Sequence, residues 1–309
     1  MKDVRPIKLK NFSSYCCLLL VAQMVCMTVK AQEIPVVADG AKPVMVARQF
    51  TFAEGPAVDK AGNIFFTDQQ NNKIWEYDTL GKLSVFMDTS GRSNGMYFDA
   101  KGNLVTCADQ YEQVWSISPK KRVKVLVTDY KGHTLNGPND IWISPSGAIY
   151  LTDPYFQRDY WVRQKPDPAL PGEKVYYLPA GKKELLMADS SVKKPNGIVG
   201  TPDGKYLYVA DMGEWKTYRY DIDPDGSLTN KLLFAEEGSD GMTLDERGNL
   251  YLTNNGVSIY NPEGQKVGHI DIPEKWTSNI CFGGKDRKTL FLTATTAIYT
   301  VKMQVKGVE

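Results

Sequence analysis

Six places in the sequence put an oxygen-bearing side chain directly before a short apolar run. These side chains belong to Glu54, Asn94, Asn139, Asn196, Asp240 and Asn279. Carboxylate and amide oxygens are hard ligands that suit Ca²⁺, Mg²⁺ or Mn²⁺. The alternative is that each residue only helps to make a turn, because Asn-Gly, Asp-Gly and Pro-Asn are favoured in turns. The sequence therefore raises the hypothesis of a metal site, provided that these side chains meet.

Each of the six residues opens one copy of a repeated pattern. The pattern is a short apolar strand, a turn of the Asp-x-x-Gly-Asn or Pro-x-Gly type, and a second strand rich in β-branched and aromatic residues, which is typical of a hairpin. Two clear copies are EGPAVDKAGNIFFTD from Glu54 and NDIWISPSGAIYLTD from Asn139. Two further strand-like segments follow most copies, and no segment has a sustained helical period. Four strands in each repeat predict an all-β fold, a six-bladed β-propeller closed by a strand from residues 35–52.

The predicted fold brings the six residues together. In a propeller the first strand of each blade lines the central channel, so the residue at its head projects into the channel mouth. We predict a metal site there, with one divalent cation held by Glu54, Asn139, Asn196 and Asp240. Ca²⁺ suits these ligands best, and Mg²⁺, Mn²⁺ or Zn²⁺ are alternatives. A purely structural Ca²⁺ is also compatible with the sequence.

Four short motifs resemble the signature of a known family. They are EGP at Glu54, PND at Asn139, PNG at Asn196 and SDGM around Asp240. In this order they are similar to the senescence marker protein/gluconolactonase/regucalcin family, and the similarity runs over residues 52–301. The resemblance implies a six-bladed propeller with one divalent metal and, in many members, hydrolysis of sugar lactones such as gluconolactone. It implies that Glu54, Asn196 and Asp240 bind the metal. It also implies that Asn139 touches the metal or the substrate, and that Asp240 doubles as the acid and base.

One departure from the family concerns the substrate. Gly137 stands two residues before Asn139, where family members of the animal type tend to carry an Arg that can bind sugar hydroxyls. An insertion at residues 154–173, PYFQRDYWVRQKPDPALPGE, follows the second strand of the third repeat and should overhang the metal. Its Arg158 or Arg163 could replace the missing Arg, and its aromatic side chains could stack on a sugar.

Several side chains are candidates for contacts with the substrate. They are Asn94, Asn139, His133, Tyr155 and Trp215. For the aromatic residues the alternative is packing against a neighbouring blade. For His133 the alternative is a hydrogen bond to the backbone of its own loop.

Lactone hydrolysis needs a Lewis acid on the carbonyl oxygen and a base for the attacking water. Asp240 is the first candidate for the base and Asp140 the second, although an Asp after Pro-Asn often caps its own turn. The sequence contains no G-x-S-x-G, no P-loop and no dinucleotide fingerprint. Two rival classes stay open: a non-catalytic propeller that binds a glycan or another ligand, and an esterase or phosphotriesterase of the same architecture.

The N-terminal segment has the features of an export signal. A basic start precedes an apolar run at residues 15–29, and the small residues Val29 and Ala31 predict cleavage before Gln32. We therefore expect residues 1–31 to be a signal peptide and residues 32–309 to form one propeller domain in the periplasm or outside the cell. The mature chain is close to neutral, so we expect neither nucleic acid nor a membrane as a partner. Its two cysteines, Cys107 and Cys281, are predicted to be buried free thiols.

Overall fold

The structure, a computed structural model, describes residues 1–3, 35–170 and 172–308. Over these residues the strands pair antiparallel into five sheets, and one 3-10 turn covers Asp109–Tyr111. Four of the sheets are meanders of four consecutive strands. The first two comprise β5 Ser93–Phe98, β6 Leu104–Ala108, β7 Gln113–Ile117 and β8 Val123–Val127, and then β9 Ile141–Ile143, β10 Ile149–Asp153, β11 Lys174–Leu178 and β12 Leu186–Asp189. The next two comprise β13 Pro195–Gly200, β14 Tyr206–Asp211, β15 Lys216–Ile222 and β16 Leu228–Ala235, and then β17 Met242–Leu244, β18 Leu250–Asn254, β19 Gly256–Tyr260 and β20 Lys266–Ile270. Each meander contains one of the four central repeats.

The fifth sheet has six strands and joins the first repeat to the sixth. In hydrogen-bonding order its strands are β21 Asn279–Gly283, β22 Thr289–Lys302, β1 Val44–Val58, β2 Ile64–Asp68, β3 Lys73–Tyr77 and β4 Leu83–Asp88. Residues 44–48 of β1 pair with residues 297–300 of β22, and residues 53–58 of β1 pair with β2. The all-β propeller-like fold is confirmed. The prediction of six separate blades is wrong, because β1 and β22 are long enough to join the first and last repeats in one sheet.

The core lies between the sheets, around the second strand of each repeat. In the first three repeats this strand is buried at every residue, at Ile64–Asp68, Leu104–Ala108 and Ile149–Asp153. The outermost strand of the second repeat, β8, instead exposes its first three residues. Burial on both faces explains why the second strands are apolar almost throughout, since each is covered by both neighbouring sheets.

The first strands are irregular at their heads. The pairing with the second strand shifts register between Glu54 and Ala57, between Ser93 and Met96, and between Pro195 and Ile198. Such β-bulges re-aim a side chain and interrupt the ladder of backbone hydrogen bonds. A buried Thr on the second strand supplies a replacement partner in several repeats. Thr67 Oγ1 donates to the Asn94 carbonyl at 3.3 Å, and the Gly241 amide donates to Thr253 Oγ1 at 2.8 Å.

The glycine that follows a head residue is required by close packing of neighbouring first strands. A Cβ added to Gly55, which has a φ of +42°, would lie 2.1 Å from the Asn94 carbonyl oxygen. A Cβ added to Gly241 would lie 2.1 Å from the side chain of Asn279. Neither position can hold a larger residue unless the strands move apart, so each of these glycines allows two neighbouring heads to approach one another.

Two further expectations concern the thiols and the N-terminal segment. Cys107 and Cys281 are both free and buried, as predicted. Nearly all of the expected signal peptide falls on residues 4–34, which lie outside the described residues, so it stays a prediction. In the part of the chain that the structure describes, no helix has the length and apolar character needed to span a membrane.

Candidate active site

Five of the six head residues meet at one cleft of about 170 Å³. They are Glu54, Asn94, Asn139, Asn196 and Asp240, and the other lining residues are Phe52, Phe156, Arg158, Met212 and Trp276. The sixth head residue, Asn279, does not line the cleft and is buried beside Asp140, where its Nδ2 donates to Asp140 Oδ2 at 3.2 Å. The cleft therefore gathers side chains from every repeat except the sixth.

Buried aspartates at the ends of second strands hold the backbone segments that lead to the head residues. Asp153 accepts hydrogen bonds from the backbone amides of Asn136 and Gly137, both at 2.9 Å. Asp68 does the same for Thr51 and Phe52, which lie on β1 before Glu54, and Asp211 for the loop before Asn196. The aspartate that closes each of these repeats in the sequence thus fixes the backbone from which a head side chain projects.

Asp240 is the most firmly held carboxylate of the cleft. Asn196 Nδ2 donates to its Oδ1 at 2.8 Å, and Trp276 Nε1 donates to its Oδ2 at 2.6 Å. Withdrawal from solvent raises the pKa of Asp240, whereas these two donors act in the opposite direction. The carboxylate is therefore oriented by side chains from the fourth repeat and from the loop before the sixth.

Glu54 lies in the same cleft and is buried, with 3% of its surface exposed. Its Oε2 accepts a hydrogen bond from the Gly55 amide at 2.9 Å. Burial raises the pKa of Glu54 well above its usual value, and the negative charges of Asp240 and Asp140 raise it further. Two carboxyl groups that raise each other's cost of ionisation are stabilised in the charged form by a shared cation.

The residues present fit a hard divalent cation. Asn196 Oδ1 is buried and accepts no hydrogen bond, which is costly unless another positive partner occupies the space beside it. Among the described residues no group of three or more His, Cys, Asp and Glu side chains gathers for a metal. A cation in the cleft would therefore rely on Glu54 and Asp240 together with the amide oxygens of Asn139 and Asn196.

The insertion at residues 154–173 is anchored on the second repeat through Asp109. Arg158 Nε donates to Asp109 Oδ2 at 3.1 Å, the Tyr160 hydroxyl donates to the same carboxylate, and Trp161 Nε1 donates to the Asp109 carbonyl at 2.9 Å. Asp109 is 1% exposed, so these bonds form away from water. The anchor brings Phe156 and Arg158 to the wall of the cleft.

The departure from the family at Gly137 is explained by this insertion. Gly137 has a φ of +143°, and a Cβ added there would lie 2.6 Å from the ring of Trp161. The indole therefore occupies the space that a side chain at residue 137 would need. Of the two arginines that could replace the missing one, Arg158 lines the cleft. Arg163 is used elsewhere, because it donates to Glu112 and to the Asn136 carbonyl.

Three of the predicted substrate contacts do not line the cleft. His133 Nδ1 lies 3.4 Å from Asp167 Oδ2, the Tyr155 hydroxyl donates to Gln157, and Trp215 is 44% exposed. Asp140, the second candidate for the base, is buried next to Asn279 and is likewise not part of the lining. Their proposed roles stay predictions.

Sequence reasoning missed Phe52, Met212 and Trp276, which line the cleft. Phe52 and Trp276 lie in the segments that lead to Glu54 and Asn279, and Met212 follows the last residue of β14. Residues just before a head residue and residues just after a second strand both lie next to the heads in space. No motif marks Phe52, Met212 or Trp276, so only their place in the repeat could have predicted them.

Comparisons with known proteins show which family the chain resembles in sequence and fold. The model of the SMP-30/Gluconolactonase/LRE-like region matches residues 52–296. A gluconolactonase of Zymomonas mobilis is 28% identical over 307 residues, which cover 89% of this chain and 85% of that protein. A 6-deoxy-6-sulfogluconolactonase of Pseudomonas putida is 29% identical over 133 residues, which cover 40% of this chain and 45% of that relative. The solved structure of a gluconolactonase from Xanthomonas campestris matches with a TM-score of 0.80 and 26% identity, covering 87% of this chain and 94% of the other.

Proposed function

Because the chain belongs to the SMP-30/Gluconolactonase/LRE-like family, we propose that it is an enzyme that hydrolyses sugar lactones with the help of one divalent cation. The relatives described as gluconolactonases support a lactone as the substrate. The observation that carries the proposal is the meeting of Glu54, Asn139, Asn196 and Asp240 at one cleft, although they come from four different repeats. Turn formation alone gives no reason for that meeting.

We propose Ca²⁺ as the cation, with Mg²⁺, Mn²⁺ and Zn²⁺ as alternatives, and the four head residues as its ligands. When bound, such a cation supplies a Lewis acid for the carbonyl oxygen of the lactone. The unpartnered Asn196 Oδ1 and the two neighbouring carboxyl groups support this proposal.

Asp240 is the proposed base. One of its carboxylate oxygens accepts a proton from water as the water oxygen bonds to the carbonyl carbon. The ring C–O bond then breaks, the proton passes to the leaving oxygen, and the product is the hydroxy acid. Asn196 and Trp276 hold the carboxylate in one orientation during these steps. Asp140 is the alternative base, and its burial beside Asn279 makes it the weaker candidate.

The insertion closes one side of the cleft. Phe156 presents an apolar ring to the substrate and reduces the access of bulk water, while Arg158 offers a positive charge. The protein is proposed to act outside the cytoplasm, because residues 1–31 combine a basic start, an apolar run and a cleavage site.

The test is a panel of sugar lactones, aromatic lactones, linear esters and a phosphotriester, assayed by acid release in a pH-stat with Ca²⁺ present. We expect turnover of sugar lactones in preference to the other compounds. Turnover of the linear esters or the phosphotriester alone would favour the related esterase. No turnover of any compound, with a sugar acid or glycan still bound, would favour the non-catalytic propeller.

A further inference from the structure

We infer that the substrate is an anionic lactone, one that carries a carboxylate, sulfonate or phosphate group, and that Arg158 with Lys194 selects this group at the wall of the cleft. The inference rests on the proposed lactonase function and adds a substrate class to it. Three observations carry it: a pair of positive charges on one ring, unused hydrogen-bond donors, and the division of charge within the cleft.

Two positive side chains meet at the ring of Phe156, which lines the cleft. The Arg158 guanidinium carbon is 5.6 Å from the centroid of this ring, and Lys194 Nζ is 4.4 Å from it. An aromatic face attracts each cation, but the two cations repel each other. Asp109 pairs with Arg158 Nε, and the carboxylate of Glu173 interacts electrostatically with Lys194, so part of this repulsion is already offset. An anion bound next to this ring would offset the remainder.

The donors of these two side chains are not used up by the protein. Of the three guanidinium nitrogens of Arg158, only Nε donates to Asp109. Within residues 35–170 and 172–308 no hydrogen bond engages the two terminal nitrogens of Arg158 or Nζ of Lys194. The Arg158 side chain is 16% exposed. A guanidinium with two free parallel donors matches the paired oxygens of a carboxylate, sulfonate or phosphate, and limited exposure strengthens that contact.

The cleft is divided by charge. Glu54 and Asp240 supply the acidic part of the lining and suit the metal, whereas Arg158 supplies the basic part. A neutral lactone would use the acidic part through the metal and leave the two terminal nitrogens of Arg158, whose Nε is paired with Asp109, without an acceptor. A lactone with an anionic group uses both parts, because its carbonyl and its charged group are separated along the sugar.

The test compares kcat/KM for D-glucono-1,5-lactone with kcat/KM for its 6-sulfo and 6-phospho counterparts, all with saturating Ca²⁺. We expect the wild-type enzyme to prefer at least one anionic lactone by about tenfold or more, the usual worth of one charge-assisted hydrogen bond. The Arg158→Gln substitution should lower the ratio of anionic to neutral kcat/KM by about tenfold, mainly through KM. Arg158→Lys keeps the positive charge but loses the two parallel donors of the guanidinium, so it should retain part of the preference for the anionic lactone. Lys194→Gln should lower the ratio less, because Lys194 contacts the lining residue Phe156 but does not itself line the cleft.

Arg92→Gln is the matched control. Arg92 also carries its charge over an aromatic ring of the insertion, 4.5 Å from the centroid of Tyr160, but neither Arg92 nor Tyr160 lines the cleft. Its substitution should leave the ratio unchanged within about twofold. Equal kcat/KM for neutral and anionic lactones in the wild type would overturn the inference and leave the lactonase intact, whereas hydrolysis of no lactone would overturn the proposed function itself. If Arg92→Gln also lowers the ratio of anionic to neutral kcat/KM, the preference arises from the overall positive charge of this region. That result would overturn the assignment to Arg158.

Discussion

Asp240 receives a hydrogen bond on each of its two carboxylate oxygens, one from Asn196 and one from Trp276. Glu54, by contrast, accepts from its neighbouring amide at Gly55. Both carboxylates line the cleft, so both can contribute charge to a cation, but Asp240 is the one that is proposed to accept a proton from water. Metal binding and proton acceptance can be tested separately with Glu54→Gln and Asp240→Asn, because each substitution keeps an oxygen ligand and removes the negative charge.

We predict that Glu54→Gln and Asp240→Asn both weaken binding of the metal, since each removes one negative charge from its ligands. At saturating metal, Glu54→Gln should recover kcat to within about tenfold of the wild type. Asp240→Asn should remain slower by about 10²- to 10⁴-fold, the usual contribution of general base catalysis. Metal titration by calorimetry and lactone turnover at each metal concentration measure both effects. Equal recovery of the two variants would assign the base to Asp140.

The sequence was sufficient to predict the head residues because the repeat places each at the same point of a strand. It was not sufficient for Trp276, whose indole reaches Asp240 from a loop. The sequence also left open why a glycine follows several of the head residues. Asn-Gly and Asp-Gly suggest turns, whereas Gly241 is needed because a Cβ there would overlap Asn279. That requirement depends on the distance between neighbouring sheets, which a single sequence does not state.

The insertion acts as one element, because its anchor on Asp109 and its contact with Gly137 fix the position of Arg158. Trp161 fills the space above Gly137 and donates to the Asp109 carbonyl. Its place over the cleft was predicted from the strand order of an antiparallel blade. Its anchor was not, because Asp109 looks like the aspartates of the other repeats and differs only in its partners.

We predict that Gly137→Ala moves Trp161 and thereby Arg158, so that KM for the substrate rises by about tenfold and stability falls. Gly102→Ala is the matched control: Gly102 also has a positive φ, +80°, but its added Cβ would have no atom within 4 Å. The control should cost roughly 1–2 kcal/mol for the left-handed backbone and leave KM unchanged. Thermal unfolding and steady-state kinetics measure the two effects. The same KM in both variants would contradict the role of the insertion.

At the scale of the whole molecule, the ring is closed by pairing of β1 with β22, and the cleft draws on repeats one to five. A cation at the cleft would tie together segments that are far apart in sequence. Above the dissociation constant, the free energy of unfolding should therefore rise with the logarithm of the free cation concentration, and the melting temperature should rise with it. A structural Ca²⁺ makes the same prediction, so stability alone does not separate a structural from a catalytic metal.

The decisive measurement is lactone hydrolysis by the protein after removal of metal with a chelator, followed by resupply of Ca²⁺, Mg²⁺, Mn²⁺ or Zn²⁺. Circular dichroism at each step shows whether the fold is retained. We predict that the stripped, folded protein has lost its turnover and that Ca²⁺ restores it, whereas Asp240→Asn stays about 10²- to 10⁴-fold slower than the wild type at saturating Ca²⁺. Full turnover by the stripped protein would contradict the account.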